Sequence, residues 1–162
     1  MSLSIYVAGA SADRALVAGF IRDLRRAGWT VTYDWTTDPG WTDPLYPRAV
    51  SAESELEGVI AARAFWYVAP GAKSEGSHFE LWVAVAERRR DRLSARTILT
   101  SGPFDLHARI FPTLGNRHFV EHAEALAWLV ALAHEQRGLQ LDHVLSRHRV
   151  LGDGLDLVLA GA

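Results

Sequence analysis

The residues best suited to chemistry lie in one stretch, Ser74-Glu75-Gly76-Ser77-His78-Phe79-Glu80-Leu81-Trp82-Val83-Ala84. A turn of small residues there delivers a carboxylate, Glu80, to the first turn of a helix. Such a group can serve as a covalent nucleophile when its surroundings activate it. The same letters have a plainer meaning. Ser77 and Glu80 form S-x-x-E, a capping box in which each side chain satisfies a backbone N–H of the other residue. On these residues alone both meanings stay open. A second carboxylate, Glu55, falls at the edge of an apolar helical stripe, where burial is costly unless the group is paired or lines a wet cavity.

These groups need a scaffold, and the hydrophobic pattern supplies one. Ala64 to Ala69 is apolar without alternation, as a strand covered on both faces should be. It leads through Pro70 and Gly71 into the Glu80 helix, which runs to Arg88, Arg89 and Arg90. That places Glu80 at the carboxyl edge of a sheet, where open α/β folds bind ligands. Ile5 to Ala8 reads as a first strand, broken by Gly9 to Asp13, with Ser11 or Asp13 available to cap the next helix. Leu16, Val17, Phe20, Ile21 and Leu24 give that helix its buried side, and Gly28 ends it. Trp29 to Trp35 alternates as a second strand, so the unit predicts a right-handed parallel crossover.

Thr36 to Pro47 reads as a loop. Trp41 and Tyr46 within it either fold back on the core or wall a pocket. Arg48 to Arg63 reads as a helix with Ala52, Leu56, Val59 and Ile60 inward. A fourth strand spans Arg96 to Thr100, stopped by Ser101-Gly102-Pro103, and a fifth covers His118 to Val120. Glu121 to Gln136 is a helix with Leu126, Leu129, Val130 and Ala133 on one stripe. From about residue 138 the chain reads as an extension, with apolar residues interrupted at Gly152-Asp153-Gly154. The expectation is one α/β domain over residues 1–162, a parallel sheet of five strands flanked by helices.

Composition narrows the function. Charged residues at 22%, hydrophobic residues at 49% and a net charge of −2 describe a globular chain with no electrostatic reason to bind a nucleic-acid polymer or a membrane. Cysteine is absent, which excludes disulfides, thiolate metal sites and cysteine nucleophiles. The seven histidines show neither H-x-H nor H-E-x-x-H spacing, so no metal is expected. No signal peptide or membrane span is read, and a cytoplasmic location is the expectation. Six Trp and the apolar tail after Gly154 leave apolar surface that a homodimer or larger assembly would cover.

The loop after the first strand, the end of the second strand at Trp35 and the Glu80 turn should meet at one sheet edge, around a pocket. At these positions the chain resembles the nucleoside 2-deoxyribosyltransferase family. Ile5-Tyr6-Val7-Ala8-Gly9 looks like that family's opening strand with its Tyr, and Ser74-x-Gly76-Ser77-x-x-Glu80-Leu81 with Ala84 is similar to its nucleophile motif. The resemblance covers roughly residues 4 to 135. It implies a flavodoxin-like three-layer fold with a five-stranded parallel sheet, and cleavage or transfer of the N-glycosidic bond of a nucleoside or nucleotide, with Glu80 as nucleophile, Tyr6 hydrogen-bonded to it and no cofactor. Glu55 falls where the family places an Asp that handles the base.

That chemistry is coherent on its own terms. The reacting carbon gains oxocarbenium character, which a facing carboxylate stabilises and captures, while the departing base needs a proton. Gly9, Ser11, Trp35, Trp41, Gly76 and Ser77 are the expected substrate-binding positions. Trp35 or Trp41 would offer a face to the base if not taken by the core, and helix N–H groups near Ser77 would receive a hydroxyl or phosphate. Three positions depart from the pattern. Arg63 stands where an Asp is usual, Trp82 replaces a small Gly, and Glu55 in place of Asp moves its carboxyl by about 1.5 Å, roughly one C–C bond. A different outcome is a non-catalytic module of the same fold that binds a nucleotide-like ligand and keeps Glu80 as a helix cap.

Overall fold

The computed structural model of the protein describes residues 3–41, 43, 48–69, 74–90, 96–102 and 115–138, without the side chains of Trp41 and Arg48. The apolar runs form five strands: β1 (Ser4–Ala8), β2 (Thr30–Val31), β3 (Ala64–Val68), β4 (Thr97–Ser101) and β5 (Arg117–Phe119). All pair in parallel, in the order β2-β1-β3-β4-β5. Among the described residues four α-helices connect and cover them: α1 (Arg14–Arg26), α2 (Arg48–Ala61), α3 (Glu75–Arg90) and α4 (122–138). The parallel α/β sheet expected from the sequence is present. β3, central and buried at every residue, is the strand whose sequence lacks alternation.

The two faces of the sheet carry different helices. α1 and α4 share one face, where the Trp29 indole donates to the Leu129 carbonyl at 3.0 Å and Arg137 donates to the Ala27 carbonyl at 2.7 Å. Phe20 of α1 meets Trp66 of β3 with ring centroids 4.9 Å apart. α2 and α3 pack against each other over the opposite face. Because side chains alternate along a strand, Tyr6, Phe65 and Tyr67 point the other way from Trp66, toward α2 and α3. Tyr6 and Phe65 are paired in register and stack at 5.9 Å.

Several expectations are corrected. The second strand stops at Val31 rather than Trp35. Asp34 ends the extended run by accepting from the Thr36 N–H and pairing with Arg25 at 2.7 Å, which turns Trp35–Thr37 into a tight helical turn. Asp13 occupies the cap position of α1, yet its side chain makes no cap bond. Leu16 of α1 is exposed, as are Ala52 and Ile60 of α2; on α2 only Val59 of the expected stripe is fully buried. Ala52 and Leu56 face a cleft instead of packed core. α3 begins at Glu75, so Glu80 is its sixth residue and lies in the second turn rather than the first. Tyr46 and the tail after residue 138 fall outside the described residues.

Candidate active site

Glu80 is buried, at 9% exposure, and the Tyr6 hydroxyl donates to its Oε1 at 2.6 Å. The capping box therefore does not form as the sequence suggested. The cap belongs to Ser74, whose Oγ accepts from the Ser77 N–H at 3.3 Å, the geometry of a residue capping three positions ahead. Ser77 turns its own hydroxyl back to the Ser74 carbonyl and shares a hydrogen bond with Tyr67. Relieved of the cap, the Glu80 carboxyl is held from the sheet by a phenol.

Burial pushes the Glu80 carboxyl up to about 8; the Tyr6 hydrogen bond opposes this and the charge of Glu55 adds to it. Tyr6 itself is raised far above an ordinary phenol, first by burial and then by the Glu80 charge, so it is a committed donor. Tyr67, two residues beyond Phe65 on β3, is pushed up to about 12 by burial and stacks on His78 at 5.9 Å. A ligand-sized opening lies between α2 and α3. It is a cleft of about 340 Å³ with Glu55, Leu56, Val59, Gly76, Phe79 and Glu80 among its walls.

Glu55 thus faces the same space as Glu80. It is half-buried, and its carboxyl is raised by burial and by the charge of Asp38. Asp38 is buried at 5% exposure. Burial works against its charge, but hydrogen bonds from Tyr33, Gly40 N–H and Ser51 outweigh that and hold it below the usual carboxylate range. One glycine permits this closeness. A Cβ on Gly58 would stand 2.6 Å from Tyr33 Cβ and 3.1 Å from the Tyr6 ring, so α2 could not otherwise approach β1.

Of the predicted site residues, Tyr6, Glu80, Glu55 and Gly76 come together at the cleft, Tyr6 through its bond to Glu80. A side chain at Gly76 would meet nothing within 4 Å. Ser77 lies just beneath, buried. Ser11 is exposed in the turn after β1, and Gly9 packs where a Cβ would come within 2.7 Å of Val17. Trp35 is a correction to the idea of an aromatic wall. It is 3% exposed, with its indole donating to the Val7 carbonyl at 2.8 Å, so its rings belong to the core. The side chain of Trp41 lies outside the described residues. Phe79 on the cleft and Asp38 behind it were not singled out from the sequence. Neither carried a signal in the sequence beyond its place, Phe79 beside Glu80 and Asp38 in the loop. Among the described residues no group of three potential ligands could hold a metal ion, and no helix is long and apolar enough to cross a membrane.

Fold and site together define an α/β protein with a carboxylate-lined cleft over one face of a parallel sheet. No family model matches the chain, and no curated protein matches it. Its fold is that of a solved enzyme, the CMP N-glycosidase BcmB of Clostridium botulinum, with a TM-score of 0.52 at 16% sequence identity, covering 80% of this chain and 96% of that one.

Proposed function

We propose that the protein cleaves the N-glycosidic bond of a nucleoside or nucleotide through a glutamate nucleophile, Glu80. The observation that carries this is the 2.6 Å bond from Tyr6 to a buried Glu80 that opens on a cleft shared with Glu55. Likeness of fold to a CMP N-glycosidase supports the same reaction class. In this reading Tyr6 holds Oε1 and leaves Oε2 to attack C1′. The C1′–N bond breaks as the Oε2–C1′ bond forms, and the bonding pair leaves with the base, which takes a proton from Glu55. Water or a second base then attacks C1′, Glu55 recovers the proton, and the Glu80 carboxylate departs.

The raised proton affinity of Glu55 fits its role. A general acid works best with a carboxyl tuned toward neutral pH, and burial with the Asp38 charge moves Glu55 that way. Glu80 must be ionised to attack. The positive charge that develops at the anomeric carbon in the transition state favours that ionised form. Incubation with a panel of nucleosides and 5′-monophosphates, beginning with CMP, tests the proposal by release of free base. Release that survives in Glu80→Gln removes the nucleophile, and no release from any member of the panel favours the ligand-binding alternative.

A further inference from the structure

The segment after β2 grips α2 at two points that bracket Glu55. On one side, Ser51 of α2 donates to Asp38 Oδ1 at 2.9 Å, one helical turn before Glu55. On the other, Thr32 donates to the Gly58 carbonyl at 2.7 Å, and Tyr33 lies against Gly58 too closely to admit a Cβ. Tyr33 also donates to Asp38 Oδ2, and Gly40 N–H donates to Oδ1 at 2.6 Å. A carboxylate with three donors, buried to 5% exposure, is a fixed anion rather than a solvated one. It spans a turn of the loop and the first half of a helix, so the placement of Glu55 depends on it.

We propose that Asp38 is a positioning residue of this site, one that fixes Glu55 across the cleft from Glu80 and stands beside it as a permanent negative charge. The inference rests on the reading of Glu55 as proton donor. The groups that face Glu55 are Asp38 from the loop, Glu80 and Glu75 from α3 and Tyr6 from β1. Hydrogen bonds hold Asp38 in its charged form, whereas Glu80 is raised and Tyr6 stays protonated. A charge kept there makes Glu55 hold its proton longer, which is what a donor to a departing base requires.

The test needs no turnover, so it is independent of whether the right substrate has been found. The side-chain carboxyl carbons of glutamate are titrated by 13C NMR in the full, ligand-free protein, with Glu55 assigned from Glu55→Gln. The midpoint of Glu55 should lie above the ordinary glutamate value. In Asp38→Asn it should fall by about half to one pH unit, the lower end of what a neighbouring charge does. A residue with a merely structural role would lower the melting temperature and leave that midpoint in place. Ser51→Ala tests the tether separately and keeps the anion. There, amide exchange along residues 51–58 should quicken by about tenfold, as expected when one hydrogen bond to a charged group is lost. An unmoved Glu55 midpoint in folded Asp38→Asn, or unchanged exchange in Ser51→Ala, overturns the proposal. Absence of base release from every substrate, with both shifts present, would instead count against the catalytic reading alone.

Discussion

The two faces of the sheet bury polar groups in opposite ways. On the α1/α4 face the groups are neutral and matched. The Trp66 indole donates to Ser101 Oγ at 2.8 Å, and that oxygen in turn meets His122 Nδ1 at 2.7 Å, an arrangement in which each group's need is met by the next. Burial pushes His122 toward its neutral form, against the nearby charges of Asp13 and Glu121. On the α2/α3 face three carboxyl groups stand in series, the charge of Asp38 raising Glu55 and that of Glu55 raising Glu80. The Tyr6 phenol from β1 holds Glu80 and the Tyr33 phenol from the segment after β2 holds Asp38, and an open cleft lies over Glu80 and Glu55. A face built only for stability would resemble the first. Like charges crowded around an opening cost stability, and such perturbed groups gather at functional sites more often than elsewhere.

The comparison breaks most sharply at Glu80. If the α2/α3 face is the working one, Glu80→Gln keeps the shape and loses both the nucleophile and the charge that meets the oxocarbenium-like carbon. Base release should drop by at least ~10³-fold, the scale for removing one preorganised electrostatic group. The measurement is initial rate on whichever substrate the parent protein cleaves, and retention of a tenth of the parent rate would end the nucleophile assignment.

The matched face should answer differently. Ser101→Ala leaves the fully buried Trp66 indole N–H without its acceptor. That should cost about 1–3 kcal/mol of folding stability, read by urea denaturation, while base release per folded molecule stays within twofold. A large fall in rate at unchanged stability would mean that the α1/α4 face shares in the chemistry.

How much of this was legible beforehand follows the same division. The strands and helices were readable because β3 lacks alternation, α1 carries a regular stripe and Gly28, with φ of 95°, stops it. The pairing of Tyr6 with Glu80 was readable only through family resemblance, for no spacing rule joins residues 74 positions apart. The failures are local contests that patterns do not rank. Trp29 to Trp35 alternates like a strand, but Asp34 competes for the backbone of the next turn and wins. Ser74 and Ser77 are both plausible caps, and the one nearer the loop takes the helix end, which moves Glu80 a turn inward. Trp35 reads as a face for a base because nothing in the letters tells that its indole finds the Val7 carbonyl.

Tyr6→Phe sharpens the contrast at smaller scale. The phenol's hydrogen bond favours the charged form of Glu80, against burial. Without it the carboxyl should rise above about 8, since a bond to the ionised form lowers the midpoint and its loss raises it. The ascending limb of the pH–rate profile should move upward, and the rate near pH 7 should fall by about tenfold, one unit of protonation. A reduced rate with an unshifted limb would assign Tyr6 to packing rather than to the charge on Glu80.

The smallest effect concerns stability and carries its own sign. The folded Glu80 carboxyl sits near 8, against an ordinary value of 4.5. Below 4.5 both folded and unfolded chains hold the proton, so the group has no influence on the balance. Between 4.5 and 8 the folded chain keeps the proton that the unfolded chain has released, and linkage then makes stability fall as pH rises. Above about 8 both have lost it, and the penalty is constant. Gln does not titrate, so Glu80→Gln is free of this slope. The melting temperature of the variant relative to the parent should therefore climb from pH 5 to pH 8 and level off beyond. For a chain of this length each 1 kcal/mol moves the midpoint by about 2–4 °C, so a gap widening by a few degrees is within reach of calorimetry at four pH values. The matched face supplies the control, because Ser101→Ala touches no carboxyl and its deficit should not follow that slope. A Glu80→Gln gap that stayed level, or narrowed as pH rose, would mean that Glu80 is ionised at neutral pH in the folded protein and that burial on this face costs it nothing.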